Sequence, residues 1–123
     1  MRNRQQLFGD SGEAAAARHL KRIGYRIVKR NFHGRRGEVD IIARDGDTLV
    51  FVEVKARRSG RFGSPKDALT PRKQRQLSMA ALEYLKSTGL TDARARFDVV
   101  AITDGPGGHR IEVVKNAFEL AYG

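Results

Sequence analysis

The run Leu49-Val50-Phe51-Val52-Glu53-Val54 presents no polar face until Glu53. Side chains along a strand point alternately to its two sides. A run that is apolar at odd and even positions alike therefore needs cover on both sides, which is the condition of a central strand in a layered fold. The run then ends in charge, with Glu53 followed by Lys55. A carboxylate and an ammonium at the end of a buried strand are costly unless they meet partners. The fold has to supply two covering layers and an occupation for these two charges.

Two helices supply the layers. Residues Gln5 to Ile23 favour helix, with four alanines at 14 to 17, and Ala16, Leu20 and Ile23 fall on one face at i, i+4, i+7. Gly24 is a natural stop, and Tyr25 to Val28 reads as a short strand. A second helix begins at Thr70, a good N-cap, with Pro71 at the first helical position; Leu77, Ala81, Tyr84 and Leu85 form its stripe and Gly89 ends it.

The remaining strands come as hairpins. Val39, Ile41 and Ala43 alternate with Glu38, Asp40, Ile42 and Arg44, and Asp45-Gly46 is the strongest short turn signal. A turn centred there sets residue 44 against 47, 38 against 53 and 40 against 51. Residues Ala56 to Lys66 read as a flexible Arg/Gly/Ser loop. Phe97 to Ile102 is a buried strand, Asp104 to Gly108 a turn and Ile111 to Val114 its partner, and the tail from Asn116 to Tyr122 reads as a short docking helix. The expectation is a single α/β domain over 1–123, a central mixed β-sheet flanked by helices in the order αβββαββ.

Charge narrows the partner. Twenty-four Lys and Arg face 14 Asp and Glu, a net charge of +10 that points to an anionic polymer, most simply a phosphate backbone. Arginine dominates, 17 against 7 lysines, and its planar fork suits bidentate phosphate contact. Cysteine is absent, which excludes disulfides, thiolate zinc sites and thiol nucleophiles. The start of the chain lacks an apolar secretory core and no run approaches a membrane span, so the expected compartment is the cytoplasm, without membrane contact.

Glu53 and Lys55 are two apart and share a face. In the assumed register Asp40 and Glu53 become diagonal neighbours on that face, with β-carbons about 7–8 Å apart. Two carboxylates so placed can share a hard cation that keeps several waters. A cation there polarises a phosphoryl oxygen and activates a bound water, and a neighbouring lysine stabilises charge developing on the phosphate. An ion pair between Lys55 and a nearby carboxylate would use the same residues without chemistry.

The pattern of Asp40, twelve intervening residues and Glu53-Val54-Lys55 resembles the D…(D/E)xK signature of restriction-endonuclease-like enzymes. The stretches Gly37-Glu38-Val39-Asp40-Ile41-Ile42 and Phe51-Val52-Glu53-Val54-Lys55 closely resemble the YraN-like family of small bacterial proteins, which is similar to archaeal Holliday junction resolvases. Gly12-Glu13, Asn31, Lys73 and Phe97-Asp98-Val99-Val100 extend the resemblance over most of the chain. It implies a restriction-endonuclease-like sandwich with Asp40, Glu53 and the Val54 carbonyl as ligands of Mg²⁺, or Mn²⁺, with Lys55 as the catalytic lysine and Glu13 as the helix-borne acid of resolvase-like members. Val39 stands where the name-giving proline would be, and the second helix lacks the Gln-x-x-x-Tyr of the RecB-type subgroup.

Glu13 also lies on the sheet-facing stripe, three before Ala16 and seven before Leu20, where an acid needs a cation; a first-turn glutamate favoured by the helix dipole is the other reading. Glu38 is expected at the site's edge or on an arginine, and Asp98 as a structural partner of an arginine. His19, His33 and His109 show no ligand spacing. From Lys55 to Arg75 eight basic residues face one acidic residue. Arg57, Arg58, Arg61 and Lys66 flank Phe62, a composition that tracks phosphates while the ring stacks on an unpaired base. Arg72, Lys73 and Arg75 fall at a helix start, itself attractive to anions, although a solvated loop would also be basic.

These readings converge on a metal-dependent endonuclease acting on nucleic acid, DNA before RNA, by structure rather than sequence. The alternative is a non-catalytic nucleic-acid-binding module on the same fold; a protein adaptor explains neither the charge nor the carboxylates. Analogy with resolvases suggests a homodimer.

Overall fold

The strand required to be central is central. The computed structural model describes residues 4–58, 69–105 and 107–119, excepting the side chains of 4–11, 57, 58 and 105. The elements are α1 (Arg4–Arg22), β1 (Arg26–His33), β2 (Glu38–Asp45), β3 (Thr48–Arg58), α2 (Pro71–Thr88), β4 (Ala95–Gly105) and β5 (Gly108–Phe118), the expected order αβββαββ. The sheet follows chain order, β1-β2-β3-β4-β5. β3 and β4 run parallel, and the other neighbours are antiparallel. A parallel pair needs a long crossover, and α2 lies in it.

Each face of β3 has its own core. Leu49 and Phe51 pack with Leu77, Ala80, Ala81, Tyr84 and Leu85 of α2. Val50 and Val52 pack with Ala16, Ala17 and Leu20 of α1. This alternation is why the run carries no polar face. Among the described residues no helix is long and apolar enough to cross a membrane.

Several local expectations change. Ile23 leaves the buried stripe and is 46% exposed. Helix α1 ends one residue earlier, where the Tyr25 amide donates to the Leu20 carbonyl at 2.9 Å and the Gly24 amide to Lys21 at 3.1 Å. This left-handed termination, with Gly24 at φ 103°, turns Ile23 outward. Strand β3 runs on to Arg58, because its ladder with β4 continues to Arg58↔Asp104; residues 59–66 of the expected loop lie outside the described residues. The tail does not begin a helix at Asn116: β5 continues to Phe118, which pairs with Phe97 and stacks on its ring at 4.5 Å. Asn116 at φ 53° absorbs the irregularity that lets this pairing resume.

The first hairpin turns one residue later than expected. Asp45 pairs with Thr48, which leaves Gly46 and Asp47 as the turn, with φ 60° at Gly46. A positive φ at the first central position is what a type II′ turn asks of glycine. Asp45 is kept in the strand by Arg96, whose guanidinium donates to it at 2.7 Å. The observed pairs, such as Ile42↔Phe51 and Ile41↔Val52, place Asp40 opposite Glu53 on continuation rather than diagonal to it.

Candidate active site

Asp40 stands where two strands change faces together. Ile41 and Ala43 belong to the α1-side core, yet Val39 belongs to the α2-side core, so strict alternation fails between 39 and 41. Strand β1 does the same: Arg30 reaches Glu13 on α1, whereas Phe32 packs edge-on against Tyr84 of α2 at 5.4 Å. The ladder pairs Arg30↔Ile41 and Phe32↔Val39 but not the residues between them, Asn31 and Asp40. Asn31 takes up the reversal at φ 55°, a left-handed conformation that asparagine tolerates better than most residues.

The β2–β3 ladder stops at Ile41↔Val52. Beyond it, the Val54 amide donates to Asp40 Oδ2 at 2.8 Å, so a side chain takes the place of the next ladder acceptor. Glu53, 8% exposed, is close enough to donate a hydrogen bond to Asp40 when protonated. Burial, then the Asp40 charge, pushes the Glu53 carboxyl up to about 7, against the attraction of Lys73. Burial also holds Asp40 above the usual carboxylate range, opposed by the Val54 amide, by Lys73 and by the hydrogen bond from Glu53.

The lysine paired with Glu53 is Lys73, not Lys55. Its Nζ lies 3.5 Å from Glu53 Oε1. Lys73 sits in the first turn of α2, where the Thr70 hydroxyl accepts its amide at 3.1 Å. The helix is held against β2 by close approach: a β-carbon on Gly37 would lie 2.5 Å from the Gln76 carbonyl oxygen. Sequence reasoning placed Lys73 among the phosphate contacts; the Thr70-Pro71 cap was the signal fixing it in the first turn. Lys55 is exposed, two residues beyond Glu53, and makes no ion pair among the described residues.

Glu13 is drawn to the site but occupied. Arg30 Nε lies 3.3 Å from its Oε1, and burial, then the Asp40 charge, raises its pKa against the arginine. Glu38 pairs with His33 at 3.2 Å, both exposed, rather than with an arginine. Arg72 and Arg75 are exposed on the first turns of α2. Arg61, Phe62 and Lys66 lie outside the described residues, as do the side chains of Arg57 and Arg58.

Asp98 is structural, as expected. It accepts from the Tyr25 hydroxyl at 2.7 Å, Arg96 Nε at 3.0 Å and the Asn116 amide at 2.9 Å. The network ties β4 to β5 and to Tyr25, just before β1.

Among the described residues no three His, Cys, Asp or Glu side chains converge. The donor set is a carboxylate pair, which suits Mg²⁺ or Mn²⁺, since such ions take one or two carboxylates and keep waters. The Val54 amide points toward Asp40.

The chain matches the family model described as "Uncharacterised protein family UPF0102" over residues 12–102. It is 58% identical to a UPF0102 protein of Geobacter sulfurreducens over 118 residues, covering 95% of this chain and 92% of that one. A UPF0102 protein of Syntrophus aciditrophicus is 55% identical over 115 residues, covering 94% and 91%. Among solved structures, SSO0001 is 21% identical with a TM-score of 0.46, covering 94% of this chain but 54% of that one, so the chain spans about half its length. The YraN-like resemblance and the family match name one group: this chain belongs to the UPF0102 family.

Proposed function

We propose that the chain is a metal-dependent endonuclease that hydrolyses phosphodiester bonds of nucleic acid, DNA before RNA, with a preference for structure over sequence. The reading is carried by the meeting of Asp40 and Glu53, two carboxylates withdrawn from solvent at the point where β2 and β3 part. A core has no use for such a pair, whose burial and mutual repulsion both cost free energy. The net charge of +10 supports an anionic polymer as the partner.

Asp40, Glu53 and the Val54 carbonyl would hold Mg²⁺ or Mn²⁺. When bound, the ion supplies Lewis-acid polarisation and an activated water. Both carboxylates would engage it as anions, with the Glu53 proton released to solvent. Lys55, exposed two residues beyond Glu53 on the same strand, reaches toward the phosphate and stabilises charge developing on it. Glu13, held by Arg30, orders the side of the site nearest α1. Arg72, Lys73 and Arg75, with Arg57, Arg58, Arg61, Phe62 and Lys66, would carry the strand past the site by backbone contact and stacking. A homodimer would place two such sites for paired cuts.

One observation favours the second reading, a non-catalytic nucleic-acid-binding module: Lys73 supplies Glu53 with a counter-charge from within the chain, at 3.5 Å. A cleavage assay separates the two. With Mg²⁺ or Mn²⁺ the protein is expected to cut at least one member of a panel of duplex, flap, junction and single-stranded substrates, and chelation is expected to stop it. Binding without cleavage across the whole panel would leave the module.

A further inference from the structure

The Lys73 ammonium occupies the neighbourhood that a cation at the carboxylate pair would need, 3.5 Å from Glu53 Oε1 and near enough to Asp40 to lower its pKa. Its side chain is 36% exposed, against 10% for that of Glu53. An anion arriving from solvent thus meets the lysine before the carboxylate. Lys73 also lines an open pocket of about 300 Å³ with His33, Gly34, Gly37, Glu38 and Gln76, space enough for a phosphate group beside it. The backbone beneath is fixed by the Thr70 cap and by the approach of Gly37 to Gln76, whereas the four-carbon stem is free to swing.

Charge gives the arrangement a direction. Asp40 and Glu53 carry two negative charges when ionised, and Lys73 returns one positive charge. Adding a divalent ion while Lys73 stays in place leaves an excess of one positive charge, which one phosphodiester neutralises. We propose that Lys73 is a positioning residue that holds the metal's place, yielding the carboxylate pair to the ion when a phosphate of the nucleic acid draws the ammonium into the adjoining pocket. This rests on the metal-dependent reading of the site and adds an order to it: metal and nucleic acid bind cooperatively. By reciprocity each tightens the other by the same factor. A site without substrate holds its ion weakly and is spared idle hydrolytic chemistry.

The test is Mn²⁺ binding, read site-specifically by broadening of the Val54 amide resonance and in bulk by calorimetry. It is made with and without a phosphorothioate-linked DNA duplex that resists cutting. In wild type the duplex tightens Mn²⁺ binding, and Mn²⁺ tightens duplex binding measured by anisotropy to the same extent. Lys73→Gln, without DNA, binds Mn²⁺ roughly tenfold tighter than wild type, because a unit charge a few ångströms away is removed, and its enhancement by DNA shrinks. Lys73→Arg, which keeps the charge, stays close to wild type in metal affinity; a merely structural lysine would not sort the variants by charge. If wild type binds Mn²⁺ at this pair but Lys73→Gln binds it no tighter, the place-holding role falls alone. If wild type shows no Mn²⁺ at Asp40 and Glu53 even with the duplex, the metal-dependent reading falls with it.

Discussion

The amide of Val54 donates to the carboxylate of Asp40 at 2.8 Å, replacing with a side chain the acceptor that the β2–β3 ladder ceases to provide. Asp40 therefore has a structural duty beside its proposed chemical one, and two substitutions separate them. Asp40→Asn keeps an acceptor for the amide and is expected to remain near wild-type stability while losing metal binding. Asp40→Ala strands the amide and should cost about 1–3 kcal/mol in urea unfolding. Equal stability of the two variants would deny the hydrogen bond its role.

Stability should carry the signature of Glu53. Its folded pKa of about 7 lies above the ordinary 4.5, so the folded chain holds a proton that the unfolded chain releases. The resulting stabilisation is fully present below pH 4.5 and is lost as pH rises to about 7. Asp40 and Glu13, also raised, slope the same way, so the measurement is a difference: urea midpoints from pH 4.5 to 8 should fall less steeply for Glu53→Gln than for wild type. Mg²⁺ binding should strengthen over the same range, because the ion displaces that proton.

Lys55 and Glu53 should fail differently in cleavage. Lys55→Ala is expected to leave metal affinity intact and to slow the chemical step by about 10²–10³-fold, as a lost electrostatic donor does. Glu53→Ala should lose metal affinity itself, while binding DNA without metal as well as or better than wild type, since a negative charge near the phosphates is gone. Single-turnover rates with parallel calorimetry distinguish these outcomes; wild-type rates in Lys55→Ala would remove it from the mechanism.

Asn31 should matter through its backbone alone. Asn31→Gly suits φ 55° and is expected to retain fold and metal binding. Asn31→Val forces a β-branched residue into the left-handed region at about 1–2 kcal/mol, or else relaxes the kink and carries Asp40 away from Glu53. Thermal unfolding and Mn²⁺ broadening of the Val54 amide should both register Val and spare Gly.

Asp98→Ala is expected to be the most damaging single change away from the site. It leaves the Tyr25 hydroxyl and the Asn116 amide without their acceptor and Arg96 with Asp45 as its remaining carboxylate, a loss of about 1–3 kcal/mol for each stranded donor. Below its lowered melting temperature, activity per folded molecule should match wild type.

What the sequence made legible was what depends on local chemistry. The two-faced strand 49–54, the Thr70-Pro71 start and Gly89 stop of α2, and the αβββαββ order all follow from periodicity and capping. The pairing of Asp40 with Glu53 was also legible, although through a register displaced by two; parity preserved the conclusion. The turn position was not, because Arg96, 51 residues away, decides where Asp45 sits. The contact of Lys73 with Glu53 was equally hidden, since no local rule tells which lysine on a later helix overhangs a given strand. Nor does alternation announce its own failure, although Asn31, able to adopt a left-handed conformation, was a visible hint.

The parallel β3–β4 pair divides the molecule into two pieces with different histories. Asp40 and Glu53 belong to one antiparallel hairpin and can meet as soon as that hairpin closes. Lys73 arrives with α2, and the wall formed by β4 and β5 arrives only after a long crossover, the slower kind of closure. The two acids therefore share one hairpin, whereas their counter-charge Lys73 comes from the crossover that follows it. The apolar run from Leu49 to Val52 then has a second use: by pairing β3 with β2 it sets the register that brings the two acids together.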